Sequence, residues 1–554
     1  MWFTRLILLA SPLALSTLLN ARADENFTSG ATSEGSCQQG CRFAVKCGGH
    51  SRFPDDSVSV GGVTIDLGLM SSTVVSNDKT SARVGGGALT RQIFAALDPY
   101  GLAHVGGRQG QVGIDGFALG GGTSVLSAKH GWALDSILEY EIVLPNATIA
   151  TLSETQYPDL YYALRGGGNN FGIVTAFNVS VFPQGPVYVG SRAFTDEHAE
   201  QVLEEAEKIF TLEDVEDTNI VLEYQYSFSA AQNFGTITTT QRYIEPVMNP
   251  PVYNALNAIP AVANLTGIIS SLANSTGNIP VLGQSRYVKL KIEDTRIAEN
   301  ANTDCCRAIF ASLTHYPSVE LGKRAIALLK EEMQLLGDST DIFSTMITYS
   351  IPTTAIERMK SRGGNALGID AEDHLIINLL SVTWPSNADD RAAHALVSRF
   401  MTSFKQAAEE LNVLHPFVYI NYANKGDDVF AGYGEEIKQR LIAIQKNIDP
   451  FGIFTSSGLC RGFFKCVDIL ASEYVMPQKI SHDEIGSDEE QAAVAKAKAS
   501  SSQDLEELVE ARLFVLRYST HKLRFKSPQK GCQKGVDYVP LEGLENVSSF
   551  KTRP

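Results

Sequence analysis

Hydrophobic and polar positions alternate over short stretches in the first third of the chain. Val63-Thr64-Ile65-Asp66-Leu67 predicts a half-buried strand, Ser136 to Leu152 two strands around a Pro145-Asn146 turn, and Ile173 to Phe182 another strand. Thr90 is placed as the cap of a helix running to Leu97, with Pro99 and Gly101 ending it. From Gln184 the period lengthens. Glu197 to Phe210, Glu320 to Leu336 and Asp389 to Leu411 repeat apolar residues at helical spacing, and Leu375 to Thr383 reads as a strand between them. Val418 to Lys465 returns to glycine- and aromatic-punctuated structure, with a helix from Gly434 to Asn447. The pattern predicts an α+β fold in two parts, the second with an antiparallel sheet.

Length and charge narrow the possibilities. A chain of 554 residues exceeds the size of a single core, so more than one domain is expected. The net charge of −16 is accompanied by no basic patch, which argues against a nucleic-acid partner. At the N-terminus Arg5 precedes the apolar run Leu6 to Leu19 and the small-x-small site Ala21-Arg22-Ala23. This reads as a signal peptide over residues 1–23, and the run is too short for a membrane span. Sequons at Asn26, Asn146, Asn178, Asn264, Asn274 and Asn546 are compatible with a glycoprotein secreted through that route.

The eight cysteines are Cys37, Cys41, Cys47, Cys305, Cys306, Cys460, Cys466 and Cys532, too few for a disulfide scaffold. Cys37, Cys41, Cys47 and His50 have the residue types of a zinc site, but a disulfide within that group suits an oxidising compartment better, so no metal is assigned.

Four glycine-rich elements carry the candidate chemistry: Cys47-Gly48-Gly49-His50-Ser51, Val84-Gly85-Gly86-Gly87, Gly113-Ile114-Asp115-Gly116-Phe117-Ala118-Leu119-Gly120-Gly121-Gly122, and Gly166 to Gly172. Without a Cβ, backbone N–H groups approach a pyrophosphate closely. No Gly-Lys-Ser/Thr follows any of them, and none opens a strand–glycine–helix unit. Four such loops between strands point to a large dinucleotide cofactor.

Ala44 to Ser51, the Gly113–Gly122 loop and Asn169-Asn170-Phe171-Gly172-Ile173-Val174-Thr175 resemble the FAD-binding domain of the vanillyl-alcohol oxidase superfamily, and more narrowly its berberine bridge enzyme branch. Tyr419-Ile420-Asn421-Tyr422-Ala423 and Asp449-Pro450-Phe451-Gly452-Ile453-Phe454 resemble that branch's C-terminal element. Arg362 to Gly368, Thr383-Trp384 and Asp389-Asp390 look like its fungal substrate domain. The resemblance implies a FAD-binding domain over residues 24–183, a substrate domain over 184–411, a C-terminal element over 412–466 that packs on the FAD domain, and an atypical tail over 467–554.

The resemblance also implies roles. Gly48, Gly49, His50, Ser51, Gly113, Gly116, Gly120, Gly121, Gly122, Gly172, Ile173, Val174 and Asn421 match FAD-binding positions. His50 matches the histidine bonded to the flavin 8α carbon. Gln109 stands where many relatives carry a second, cysteine tether, so linkage through His50 alone is expected. Tyr419 matches a tyrosine facing substrate and is the candidate catalytic base, although a phenol near pKa 10 needs adjacent positive charge for that task. The other reading of Tyr419 is an aromatic on a buried strand, and His104 and His130 are further residues that could approach the cofactor.

The implied activity is oxidation of a small organic substrate of fungal secondary metabolism by hydride transfer to flavin, with oxygen as the possible acceptor. Rival readings are a carbohydrate oxidase on the same scaffold and a flavin-free, degraded paralogue. The family's first strand–helix–strand unit has no counterpart in Asp24 to Gly40, which leads to the expectation of an unpaired edge beside Ala44-Val45-Lys46 and an open pyrophosphate pocket.

Overall fold

A computed structural model describes residues 42–53, 56–59, 62–212, 217–229, 233–276, 307–336, 342–370, 372–385, 387–457, 459–460 and 464–466. The expected signal segment, the expected tail and all cysteines except Cys47, Cys460 and Cys466 lie outside them, as do Asn26 and Asn546.

The described strands, in chain order, are β1 (Phe43–Lys46), β2 (Val63–Asp66), β3 (Thr73–Val75), β4 (Ser81–Gly85), β5 (Leu102–Ala103), β6 (Ile137–Val143), β7 (Ile149–Ser153), β8 (Ile173–Ser180), β9 (Phe182–Pro183), β10 (Val187–Thr195), β11 (Ile220–Ser229), β12 (Phe234–Tyr243), β13 (Ala263–Ser270), β14 (Arg307–His315), β15 (Phe343–Ile351), β16 (Leu375–Trp384) and β17 (Leu414–His415). Two larger sheets organise them. A five-stranded sheet has the order β3-β4-β8-β6-β7, and an eight-stranded antiparallel sheet has the order β13-β10-β12-β11-β15-β16-β14-β17. The fold is α+β, as the periodicity predicts.

The eight-stranded sheet has two unlike faces because successive side chains alternate. Tyr224, Tyr226, Met346, Leu380 and Val382 lie on one face. They share a core with the apolar stripes of the helices α1 (Ala199–Phe210), α2 (Val319–Leu336) and α3 (Asp390–Glu410). The other face carries Glu223, Gln225, Thr345, Ile347, Tyr349, Leu379 and Ser381, and it is turned towards the glycine loops. Strand register sets these side by side: Glu223 is opposite Tyr349, Gln225 opposite Ile347, and Ile347 opposite Leu379.

Two local expectations change. Thr90 is the first residue of its helix and not the cap. Its hydroxyl donates to Val112 O at 3.1 Å and accepts from Gly107 N at 3.2 Å, so it ties the helix to the loop before Gly113. The segment Tyr419–Ala423 is a loop with a turn closed by Tyr422 N to Tyr419 O at 2.8 Å, so Tyr419 is a buried aromatic but lies on no strand.

The expected bare edge beside β1 is covered in part among the described residues. β1 pairs in parallel with β2, from Phe43–Val63 to Lys46–Asp66. On its other side Phe43 N donates to Leu459 O at 2.8 Å, and Phe43 forms a parallel bridge with Cys460. Phe454 packs edge-on against Phe43, with the ring centroids 5.6 Å apart. Asp449 holds this C-terminal turn by accepting from Ile453 N and Phe454 N, each at 2.9 Å. Asn170 then binds the next stretch: Nδ2 donates to Phe464 O at 3.0 Å, and Oδ1 accepts from Cys466 N at 3.2 Å.

Arg362 to Gly368, the segment that resembles the substrate domain, meets Arg165. The Arg165 side chain is fully buried, pairs with Asp135 at 3.1 Å, and donates to the carbonyls of Leu134, Ser361, Arg362 and Gly364.

Candidate active site

A cavity of about 520 Å³ lies between the glycine loops and the open face of the eight-stranded sheet. Gly48, Gly49, His50, Ser51, Gly113, Gly116, Gly120, Gly172, Ile173, Tyr419 and Asn421 all line it. Gly121, Gly122 and Val174 do not. Val174 is buried in the core, while Gly121 and Gly122 turn behind the wall. Their φ values of 122° and 85° suit glycine, and that path brings the Gly122 N–H onto Tyr419. His104 and His130 stand elsewhere, His104 buried against Phe94 and His130 stacked on Phe182 at 3.5 Å between centroids.

The glycines are there for close approach. A Cβ on Gly48 would come within 2.7 Å of Gly113 N, and one on Gly113 or Gly120 would run into the side chains of Cys47 or Asn421. The two loops therefore meet backbone to backbone below the cavity. Buried acceptors are left over at this wall: Asp115 Oδ1 and Asn169 Oδ1 have no hydrogen-bond partner, and both residues line the cavity. A close-packed glycine cradle with unspent polar atoms fits a large polar group such as FAD.

Burial sets the protonation states. His50 is pushed down to about 4 by desolvation, helped by the charge of Arg52, so its imidazole is neutral at physiological pH. The Cys47 thiol, beside the same loop, is pushed up to about 12 by burial and then by the charge of Asp115. Asp115 itself is raised to about 7 by burial. No group of three or more potential metal ligands occurs among the described residues.

Tyr419 is held by three donors. Its phenol oxygen accepts from Asn421 Nδ2 at 2.9 Å, Gly122 N at 3.1 Å and Thr123 N at 3.2 Å. Burial nevertheless holds the phenol well above its ordinary pKa, and neighbouring Tyr422 adds to that direction. Burial thus opposes the base role that the sequence suggests for Tyr419. Asn421 also donates to Phe117 O at 3.1 Å.

The opposite wall contains residues that the sequence did not single out. Phe310, Phe343, Ile347, Leu379, Tyr349 and Tyr422 make it largely apolar. Within it Arg108 Nη1 donates to Glu223 Oε2 at 2.7 Å, and its guanidinium carbon lies 3.4 Å from the Tyr349 ring centroid. The only local signal for Arg108 was its place next to Gln109, which also lines the cavity. No signal marked Glu223, whose partner is 115 residues away.

Residues 33–153 match the FAD binding domain family. The chain is 32% identical over 442 residues to a FAD-dependent monooxygenase of Fusarium proliferatum, covering 75% of this chain and 78% of that one. A FAD-dependent monooxygenase of Cochliobolus heterostrophus is 29% identical over 442 residues, covering 75% and 79%. Among solved structures, 6-hydroxy-D-nicotine oxidase of Arthrobacter nicotinovorans superposes with a TM-score of 0.60 at 20% identity, covering 76% of this chain and 86% of that one. Berberine bridge enzyme superposes with a TM-score of 0.57 at 15% identity, covering 76% and 86%. The FAD binding domain match and the 32% identity to the Fusarium enzyme place the chain in the family of FAD-dependent oxidoreductases to which that enzyme belongs, and its fold is that of 6-hydroxy-D-nicotine oxidase and berberine bridge enzyme.

Proposed function

We propose that this chain is a secreted flavoenzyme of fungal-type secondary metabolism that oxidises a small, largely apolar organic substrate, with oxygen as the electron acceptor. The observation that carries the reading is the two-sided cavity, with a glycine cradle bearing His50 on one wall and an aromatic sheet face on the other. When bound, FAD supplies the acceptance of a hydride from a C–H bond next to an oxygen or nitrogen, chemistry for which the side chains here have no equivalent.

The chain's own residues bind and orient. Gly48, Gly49, Gly113 and Gly120 let the backbone approach the cofactor, and the neutral imidazole of His50 is the nucleophile for a single covalent tether. Gln109 offers no thiol for a second tether. Tyr419, clamped by Gly122, Thr123 and Asn421, acts as a fixed hydrogen-bonding group towards substrate rather than as a base. Phe310, Phe343, Ile347 and Leu379 keep water from the reacting centre and favour a planar apolar substrate over an oligosaccharide.

The test is spectroscopic and chemical. Purified protein should show flavin absorbance that survives acid precipitation, bleach with substrate under anaerobic conditions, and regain colour with oxygen while forming peroxide. Incorporation of labelled oxygen into product would replace the hydride reading by a monooxygenase one. Mature protein recovered from the medium should begin at Asp24.

A further inference from the structure

We propose that the sheet-side end of the cavity recognises an anionic oxygen on the substrate, through Arg108. The inference deepens the functional reading above and rests on that assignment of the cavity. Arg108 leaves the loop before Gly113 and crosses to the sheet, where it bonds Glu223 at 2.7 Å and covers the ring of Tyr349. Arg108, Glu223, Gln225 and Tyr349 all face the cavity.

Among the described residues, the charges around it do not balance. Behind Glu223, on β12, Arg242 is buried as well, and it feels both the carboxylate of Glu223 and the repulsion of Arg108. Among the described residues, two buried guanidinium groups thus share one carboxylate. The second oxygen of Glu223 is already engaged by Gln225 Nε2 at 2.8 Å. Arg108 Nε is buried with no hydrogen-bond partner, so the guanidinium has donor capacity left over. Buried cations that must share one counter-ion are costly, and an anion entering from the cavity offsets that cost. The surrounding wall is largely apolar and rich in aromatic side chains, so the fitting occupant is an arene carrying a carboxylate or an ionised acidic phenol or enol.

The experiment uses the full-length, flavin-loaded protein and two probes of equal shape, benzoate and its neutral isostere benzamide. Binding is followed by perturbation of the visible flavin spectrum and independently by calorimetry. Benzoate should bind at least about tenfold more tightly, the effect of one charge-assisted hydrogen bond. The preference should vanish in Arg108→Met, return in part in Arg108→Lys, and grow in Glu223→Gln, which removes the competing carboxylate. Equal affinity for the two probes in the wild-type protein overturns the proposal. So does a Glu223→Gln protein whose preference is unchanged, the outcome for an ion pair that only joins loop to sheet. If Arg108→Met does not fold, the wild-type probe pair and Glu223→Gln still decide. A yellow protein lacking the preference refutes this inference alone, whereas a protein that takes up no flavin refutes the functional reading.

Discussion

Asn421 donates its side-chain N–H to the phenol oxygen of Tyr419 at 2.9 Å, two residues away, and that oxygen also receives the N–H groups of Gly122 and Thr123, 297 and 296 residues earlier in the chain. Tyr419 is therefore the acceptor that anchors the third glycine loop, as well as a wall of the cavity.

Tyr419→Phe leaves those donors buried without their acceptor, which costs on the order of 1–3 kcal/mol of stability. Turnover should fall by roughly tenfold, the effect of one lost hydrogen bond to substrate of about 1.4 kcal/mol. Because the phenol keeps its proton at neutral pH, the shape of the pH–rate profile between about pH 6 and 9 should not change. Loss of an ionisation from that profile in Tyr419→Phe would restore the base role.

Flavin attachment should depend on His50 alone. His50→Ala protein should lose its colour on acid precipitation. In wild-type protein the attachment rate should be flat through neutral pH and fall only as the imidazole takes a proton near pH 4. Since Gln109 faces the same cavity, Gln109→Cys should add a thiol-linked flavin, seen by peptide mass analysis.

Gly120→Ala places a methyl group against the Asn421 amide and the Ile420 side chain. Overpacking of this kind costs typically about 1–3 kcal/mol. The expected result is a lower melting temperature and weaker flavin retention, with the Asn421–Tyr419 bond displaced.

Asp115 gives a pH-dependent stability term. Its native pKa is raised from 3.8 to about 7, so the folded state binds the proton more tightly. Stability is therefore lost as pH rises from about 4 to about 7, and is constant above that. Asp115→Asn should match wild type near pH 4 and exceed it by roughly 3–5 kcal/mol at pH 8. Melting curves across that range provide the measurement.

Arg165→Ala removes the partner of buried Asp135 and the donor to four carbonyls at once. Breaking a buried pair from one side typically costs about 3–5 kcal/mol. Chemical denaturation should show that loss, and Arg165→Lys should recover little of it, because an ammonium lacks the planar fork.

Much of this protein was legible because it depends on neighbours in the chain. The stripes of 199–210, 319–336 and 390–410 follow the helical period, and their bounds agree to within two residues of the pattern. The glycine loops and His50 were legible for the same reason, since a missing Cβ and an imidazole act at their own positions. The tertiary structure decided what those positions meet. Gly122 finds Tyr419 across 297 residues, Arg108 finds Glu223 across 115, and β1 finds its second neighbour at Leu459 and Cys460. Such pairs follow from strand order and register, which place Glu223 beside Tyr349 and both before the loop of Arg108. A run of alternating residues says which side chains share a face. It carries no information about which other face that one will meet, because burial rewards any apolar partner of the right shape.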